Sequence, residues 1–494
     1  MKFFIFIFYT YGLFSVSQGG VFDRFKDIWA DLKKLNFEFW NNHPASRSLY
    51  EYLDPNVDPC DNFYKFSCGN WIRSKERKKG NSESFFYDSR TISFDTFTDE
   101  FYDGKYLNES KTFTILLNLH RKCNQLPEDK ILGCSSEIRK FGIYALSSVF
   151  LKKNIIQSEE NGDYDTVKSL IWLIKYHFEL IIDEKTQLFD EETRNNFKSK
   201  LNAMKFEKNF DHFNLSNVEL MESCYDNTGI DYNGSIENIL KDIGRNKIIS
   251  QKEEDNLTSC RGKIFQPLQF MYRYVYTNAF YESFQNYFSV NSASLNEPSF
   301  SRYYPNALNY GYLGFAIAHE ILHAFDSRNF NRILQGDNIN EFNVTQESVD
   351  KYKERSDCFV NQYDMQNESL TNKTVDGSQT LRENIADNGG LKLAHTAYMK
   401  YLSTTGDKNE RVSGFENFTE EQLFFISFGR SFCEYISKNN LEKIMDTSAH
   451  TPSEIRINVA LSNYKPFSNA FECKLNSKMN PKDKCELWKN QLQN

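Results

Sequence analysis

Leu308-Asn309-Tyr310-Gly311-Tyr312-Leu313-Gly314-Phe315-Ala316-Ile317-Ala318-His319-Glu320-Ile321-Leu322-His323-Ala324-Phe325-Asp326 is the stretch around which the chain is organised. His319 and His323 are four residues apart, so a helix puts both imidazoles on one face, one turn apart. That geometry lets both reach a single Zn²⁺ and leaves Glu320 beside the metal. Tyr312, Leu313, Phe315, Ile317, Ile321 and Leu322 are apolar and no proline interrupts, so the spacing predicts a buried helix.

Two histidines leave a zinc site one protein ligand short. One known pattern places Gly and His three and six residues after the second histidine. Asp326 and Asn329 occupy those positions here, which excludes it. A glutamate from a later helix is the other route. Glu383 opens Glu383-Asn384-Ile385-Ala386-Asp387, and helical apolar spacing runs on through Leu391, Leu393, Ala394, Ala397, Tyr398 and Tyr401. Glu383 and Asp387 share a face, so one face offers a ligand and a carboxylate that can accept a ligand histidine's N–H. Asp326, just under a turn beyond His323, suits the same task. His395 is the rival ligand, and a half-buried helix residue is its plainer reading.

His-Glu-x-x-His-x-Phe-Asp at 319–326, followed by Glu-Asn-Ile-Ala-Asp-Asn-Gly-Gly-Leu at 383–391, resembles the neprilysin and endothelin-converting-enzyme family of zinc metallopeptidases. Further stretches share the resemblance. They are Asp58 to Trp71 with Cys60 and Cys68, Ser89-Arg90 to Phe94-Asp95, Asn278-Ala279-Phe280-Tyr281, His450-Thr451-Pro452 to Arg456, and Asn469 to Trp488. Asn278 lies 41 residues before His319, as in the family. The fold this implies is mainly α with a small β part: a thermolysin-like zincin catalytic domain plus a reduced helical domain. The reduction lies between Cys123 and Cys134, where family members carry a much longer insert.

The resemblance implies one Zn²⁺ held by His319, His323 and Glu383, with Glu320 as general base then acid and His450 as oxyanion donor. Asp326 and Asp387 would orient the histidines. Asn278 and Ala279 would hold the substrate strand, Arg456 a substrate carbonyl, and Arg90 with Asp95 the far end of the peptide. Phe94, Ile317 and Phe432 would line an apolar pocket. It also implies Cys60–Cys473, Cys68–Cys433 and Cys358–Cys485 bridges. Cys123 and Cys134, which flank the missing segment, and the remaining Cys224 and Cys260 complete the set.

The chain has 494 residues, 40% hydrophobic and 16% aromatic, enough for two or three domains with a sizeable core. A net charge of -8 without a basic stripe argues against nucleic acid as a partner. Met1-Lys2 followed by apolar Phe3 to Val16 reads as a signal peptide over 1–19, with a type II membrane anchor as the alternative. Ten cysteines and sequons at Asn108, Asn214, Asn233, Asn256, Asn343, Asn367, Asn372 and Asn417 fit an oxidising, extracellular setting. The expected division is an N-terminal extension at 20–56, a stapled segment at 57–105, the reduced helical domain at 106–261 and the catalytic domain at 262–494. The expected function is a secreted endopeptidase that cuts extracellular peptides before hydrophobic residues. Its cleft would be left open on one side, with an exposed face for a partner protein. The competing reading is an idle peptide-binding or decoy protein that keeps the fold.

Overall fold

The structure, a computed structural model, describes residues 37–78, 84–208, 210–331, 344–405 and 411–489. The expected signal peptide and the sequon at Asn343 lie outside these residues. The described chain is mainly helical, with five short strands. β1 (Phe86–Asp88) pairs antiparallel with β5 (Glu434–Ile436). The second sheet has the order β2 (Lys205–Glu207), β4 (Tyr287–Val290), β3 (Ala279–Glu282), parallel and then antiparallel. Among the described residues no helix is long and apolar enough to cross a membrane.

Two hydrophobic cores form, and they divide the chain differently from the expected boundaries. The larger core holds both motif helices and the C-terminal tail, and it also takes in Tyr164 to Met204. The smaller gathers Phe94 to Leu151 and Phe210 to Val275. The expected 106–261 unit is therefore split. Helix Asp163–Glu184 turns its apolar side to the catalytic core, where Phe178 meets Phe325 and Trp488 edge-on at 5.0 and 5.1 Å. Gly142 separates helix Glu128–Phe141 from helix Ile143–Asn161.

The expected helix over 308–326 is also compound. A short turn, Asn306–Asn309, passes through a wider turn, Tyr310–Gly314, into Phe315–His323. Gly311 explains the close approach there, since a Cβ on it would sit 2.2 Å from the Phe424 carbonyl oxygen. Helix Gly377–Thr405 crosses Phe315–His323 at Gly389 and Gly390. A Cβ on Gly390 would lie 2.9 Å from His319 N, so only glycine lets the backbones meet. Glu383 and Asp387 lie seven and three residues earlier on the same face, and the crossing delivers both carboxylates to the histidines.

Five disulfides form: Cys60–Cys473, Cys68–Cys433, Cys123–Cys134, Cys224–Cys260 and Cys358–Cys485. Cys68–Cys433 joins residues 365 apart and ties helix Phe63–Lys78 beside Phe432. Replacing both cysteines by serine should cost about 2–5 kcal/mol, read as a lower urea midpoint.

Candidate active site

His319 and His323 turn their Nε2 atoms toward each other at 2.9 Å. Glu383 Oε2 lies 3.3 Å from the first and 3.4 Å from the second. Three donor atoms thus converge on one point from two crossing helices. All three side chains are largely buried. Imidazole, imidazole and carboxylate are the donor set of a catalytic zinc site, and these three lie close enough to share one cation. The residues fit zinc.

Carboxylates behind the ligands hold each ring. Asp387 Oδ1 lies 3.0 Å from His319 Nδ1, and Asp326 Oδ2 lies 2.8 Å from His323 Nδ1. Each leaves Nε2 for the metal side. Asp326 is itself fixed by the Arg328 and Asn329 amides, which donate to its Oδ1 at 2.9 and 2.8 Å. Asp387 accepts a two-point grip from Arg456, both contacts 2.7 Å. Burial pushes the Asp387 carboxyl up, but Arg456 and His319 overcome it and hold it below its usual range. Glu320 goes the other way: burial raises its carboxyl, and His323 and His319 only partly oppose that.

All of these groups but Asp387 line a cleft of ≈ 500 Å³ together with Arg90, Asn278, Ala279, Phe315, Phe432 and His450. β3 forms one wall. It is bonded to β4 on one side only, and its other edge is open to the cleft among the described residues. Asn278 is set by its amide, which donates to Ser294 Oγ at 3.0 Å, and by its Nδ2, which donates to the Tyr272 carbonyl at 2.8 Å. His450 stands half-exposed with Nε2 3.2 Å from Glu383 Oε2.

Three expected cleft residues are elsewhere. Ile317 is fully buried, because Phe315, Ala316, His319, Glu320 and His323 take the cleft face of the helix and Ile317 falls on the opposite one. Phe94 packs in the smaller core against Phe150 and Tyr276. Asp95 is exposed and accepts from Thr91 Oγ1 at 2.6 Å, away from Arg90. Arg90 reaches the cleft but is paired with Asp88. His395 bonds Tyr464 and lies apart from the site.

Sequence reasoning missed Lys200. It is buried and donates to the carbonyls of Ala324 and Asn329 at 2.7 and 2.6 Å, bracing the turn that carries Asp326. The available signal was a lysine on the apolar face of helix Glu191–Ala203, three residues after Phe197. Phe315 was missed as a cleft wall for want of a packing direction.

Residues 278–487 match the family model described as Peptidase family M13. Rat endothelin-converting enzyme 1 is 30% identical over 393 residues, which is 79% of this chain and 48% of the rat protein. Human neprilysin is 33% identical over 325 residues, 65% of this chain and 42% of neprilysin. The chain thus spans about half the length of the curated relatives it matches. Among solved structures, the Mycobacterium tuberculosis zinc metalloprotease Zmp1 in complex with inhibitor shares the fold with a TM-score of 0.50 at 18% identity, over 74% of this chain and 52% of that one. A chain of the Haemonchus galactose containing glycoprotein complex does so with a TM-score of 0.58 at 18% identity, over 91% of this chain and 99% of that one.

Proposed function

We propose that this chain, a member of the neprilysin and endothelin-converting-enzyme family of zinc metallopeptidases, is a secreted endopeptidase that cuts extracellular peptides on the amino side of hydrophobic residues. The observation that carries the reading is the convergence of His319, His323 and Glu383 on one point beside Glu320 and below an open strand edge. Seven sequons lie among the described residues, and all seven asparagines are exposed, which supports a glycosylated exterior.

One Zn²⁺ would be held by His319, His323 and Glu383, and when bound it supplies the Lewis acidity that activates water and polarises the scissile carbonyl. A peptide adds to the open edge of β3, with the Ala279 backbone and the Asn278 side chain holding its main chain. Glu320 accepts the proton of the attacking water and returns it to the leaving amine. His450 donates to the oxyanion of the tetrahedral intermediate. Phe315 and Phe432, 5.8 Å apart and edge-on, form the apolar wall beyond the cleaved bond. Arg456 lies 4.2 Å from the Phe432 ring centre and faces both this wall and Asp387. An idle peptide-binding protein has no need of Glu320 and a full ligand set, and both are kept.

The shortened Cys123–Cys134 segment supports a cleft with fewer walls, open enough to admit exposed loops of proteins. The stripe Trp172, Tyr176 and Leu180, 66%, 45% and 40% exposed on helix Asp163–Glu184, is an apolar face for a partner protein. The fold shared with a chain of the Haemonchus glycoprotein complex supports assembly by a chain of this reduced extent.

The test presents one recognition sequence twice to the purified enzyme, in a fluorogenic peptide and in a loop of a folded protein. Both are expected to be cut, both reactions to stop on chelation, and both to return with added zinc. Peptide cleavage that survives complete metal removal overturns the catalytic reading. Cleavage of the peptide with sharp rejection of the loop overturns the open cleft alone.

A further inference from the structure

We infer that the chain binds a small monovalent anion of the halide class at the buried guanidinium of Arg430. Arg430 closes helix Glu420–Arg430 and is 0% exposed. Its Nη1 donates to Ser48 Oγ at 2.5 Å and its Nη2 to the Pro298 carbonyl at 3.4 Å. Nε has no partner, and among the described residues no carboxylate pairs with the guanidinium. The buried guanidinium of Arg456 has Asp387 by contrast.

Neutral oxygens satisfy N–H donors but leave the charge, and an uncompensated charge out of water is costly. The C-terminal end of the helix offers at most about half a negative charge. Glu51 is near enough to feel the charge but does not pair with it, which leaves the guanidinium able to hold an anion. The surroundings supply a donor for one. The Tyr52 hydroxyl is buried without a hydrogen-bond partner, on a side chain 3% exposed. Tyr52 lines the same wall as Ser48 and Pro298, the two groups bonded to the guanidinium. The Tyr304 ring centre lies 5.4 Å from the guanidinium carbon. A hydroxyl can donate as well as accept, so the Tyr52 phenol and the Arg430 Nε–H can both serve one anion.

A route in exists. A second cavity of ≈ 800 Å³ shares no lining residue with the catalytic cleft. Its wall includes Ser48, Tyr52 and Pro298, which surround Arg430. Arg47, Arg73, Lys75 and Arg77 also line it, against Glu51 and Glu297, so cations outnumber acids on the approach. The site sits behind the catalytic cleft. Tyr312 lines that cleft three residues before Phe315, and Phe432 lines it two residues after Arg430. An anion that orders Arg430 therefore braces the Phe432 side of the apolar wall.

The test compares the full chain in chloride and in methanesulfonate at one ionic strength, with bromide as the crystallographic probe. An anomalous bromide peak is expected beside Arg430 Nε. Tm should rise saturably with chloride, and peptide cleavage should rise several-fold with it. Tyr52→Phe removes one donor and should raise the half-saturating chloride by about tenfold. Arg430→Met should abolish the bromide peak and the chloride dependence. If that variant does not fold, the bromide map and Tyr52→Phe decide. No bromide peak with equal Tm in the two salts means that water alone fills the site, and the proposal fails. It fails equally if acetate stabilises the chain and bromide does not bind, since the ligand is then a carboxylate. Neither the peak nor the Tm depends on proteolysis.

Discussion

Glu320→Gln should retain zinc at one equivalent and lose at least about 10²-fold in kcat, the scale of a positioned general base. Glu320 lies on the cleft face of helix Phe315–His323, between the two histidines that share that face, and it is buried. Burial raises its carboxyl, and the neighbouring histidines keep it from rising further. Glutamine fills the same volume and can still hydrogen-bond, but it cannot take a proton. Fold and metal affinity should stay near wild type, while kcat falls. His323→Ala should behave differently and lose metal and activity together, because it removes one of three converging donors. Metal content by atomic absorption beside turnover of a fluorogenic peptide separates the two. Normal cleavage by the Glu320→Gln variant would show that another group moves the proton.

The spacing of His319 and His323 was legible because helical geometry alone puts them on one face. Glu383 and Asp387 were legible for the same reason. What spacing could not supply was the crossing that brings the two pairs together, and that depends on the missing Cβ of Gly390. Direction was the weak point elsewhere. Ile317 and Phe94 are apolar residues inside or beside recognised motifs, yet one faces the larger core and the other the smaller. A motif match carries residue identity without saying which core claims a side chain. Helices Asp163–Glu184 and Glu191–Ala203 pack on the catalytic core because each is amphipathic against a partner far away in the chain. Lys200 and Arg430 were not singled out at all, since a buried cation among apolar residues reads from sequence as a solvated face.

The Arg456–Asp387 pair is where fold and chemistry depend on the same contact, and Arg456→Ala should be the most damaging substitution outside the ligand set. The guanidinium grips both carboxylate oxygens, with the two side chains 7% and 1% exposed. Removing one partner of a buried pair strands the other, which costs about 3–5 kcal/mol. The stranded carboxylate is also the one that holds the His319 ring. Urea unfolding of the metal-free protein should show the deficit directly. Its pH dependence has a definite sign. Asp387 is depressed in the folded state, so its contribution is complete above the unfolded carboxyl value of about 3.9 and fades as pH falls through the lower folded value. The gap between wild type and Arg456→Ala should therefore be full at neutral pH and narrow under acid. Arg456→Lys keeps the charge and loses the two-point grip, so it should recover part of the stability and less of the rate. A gap that stays constant from pH 7 down through the folded Asp387 value would mean that Arg456 acts through packing on Phe432, with the carboxylate a bystander.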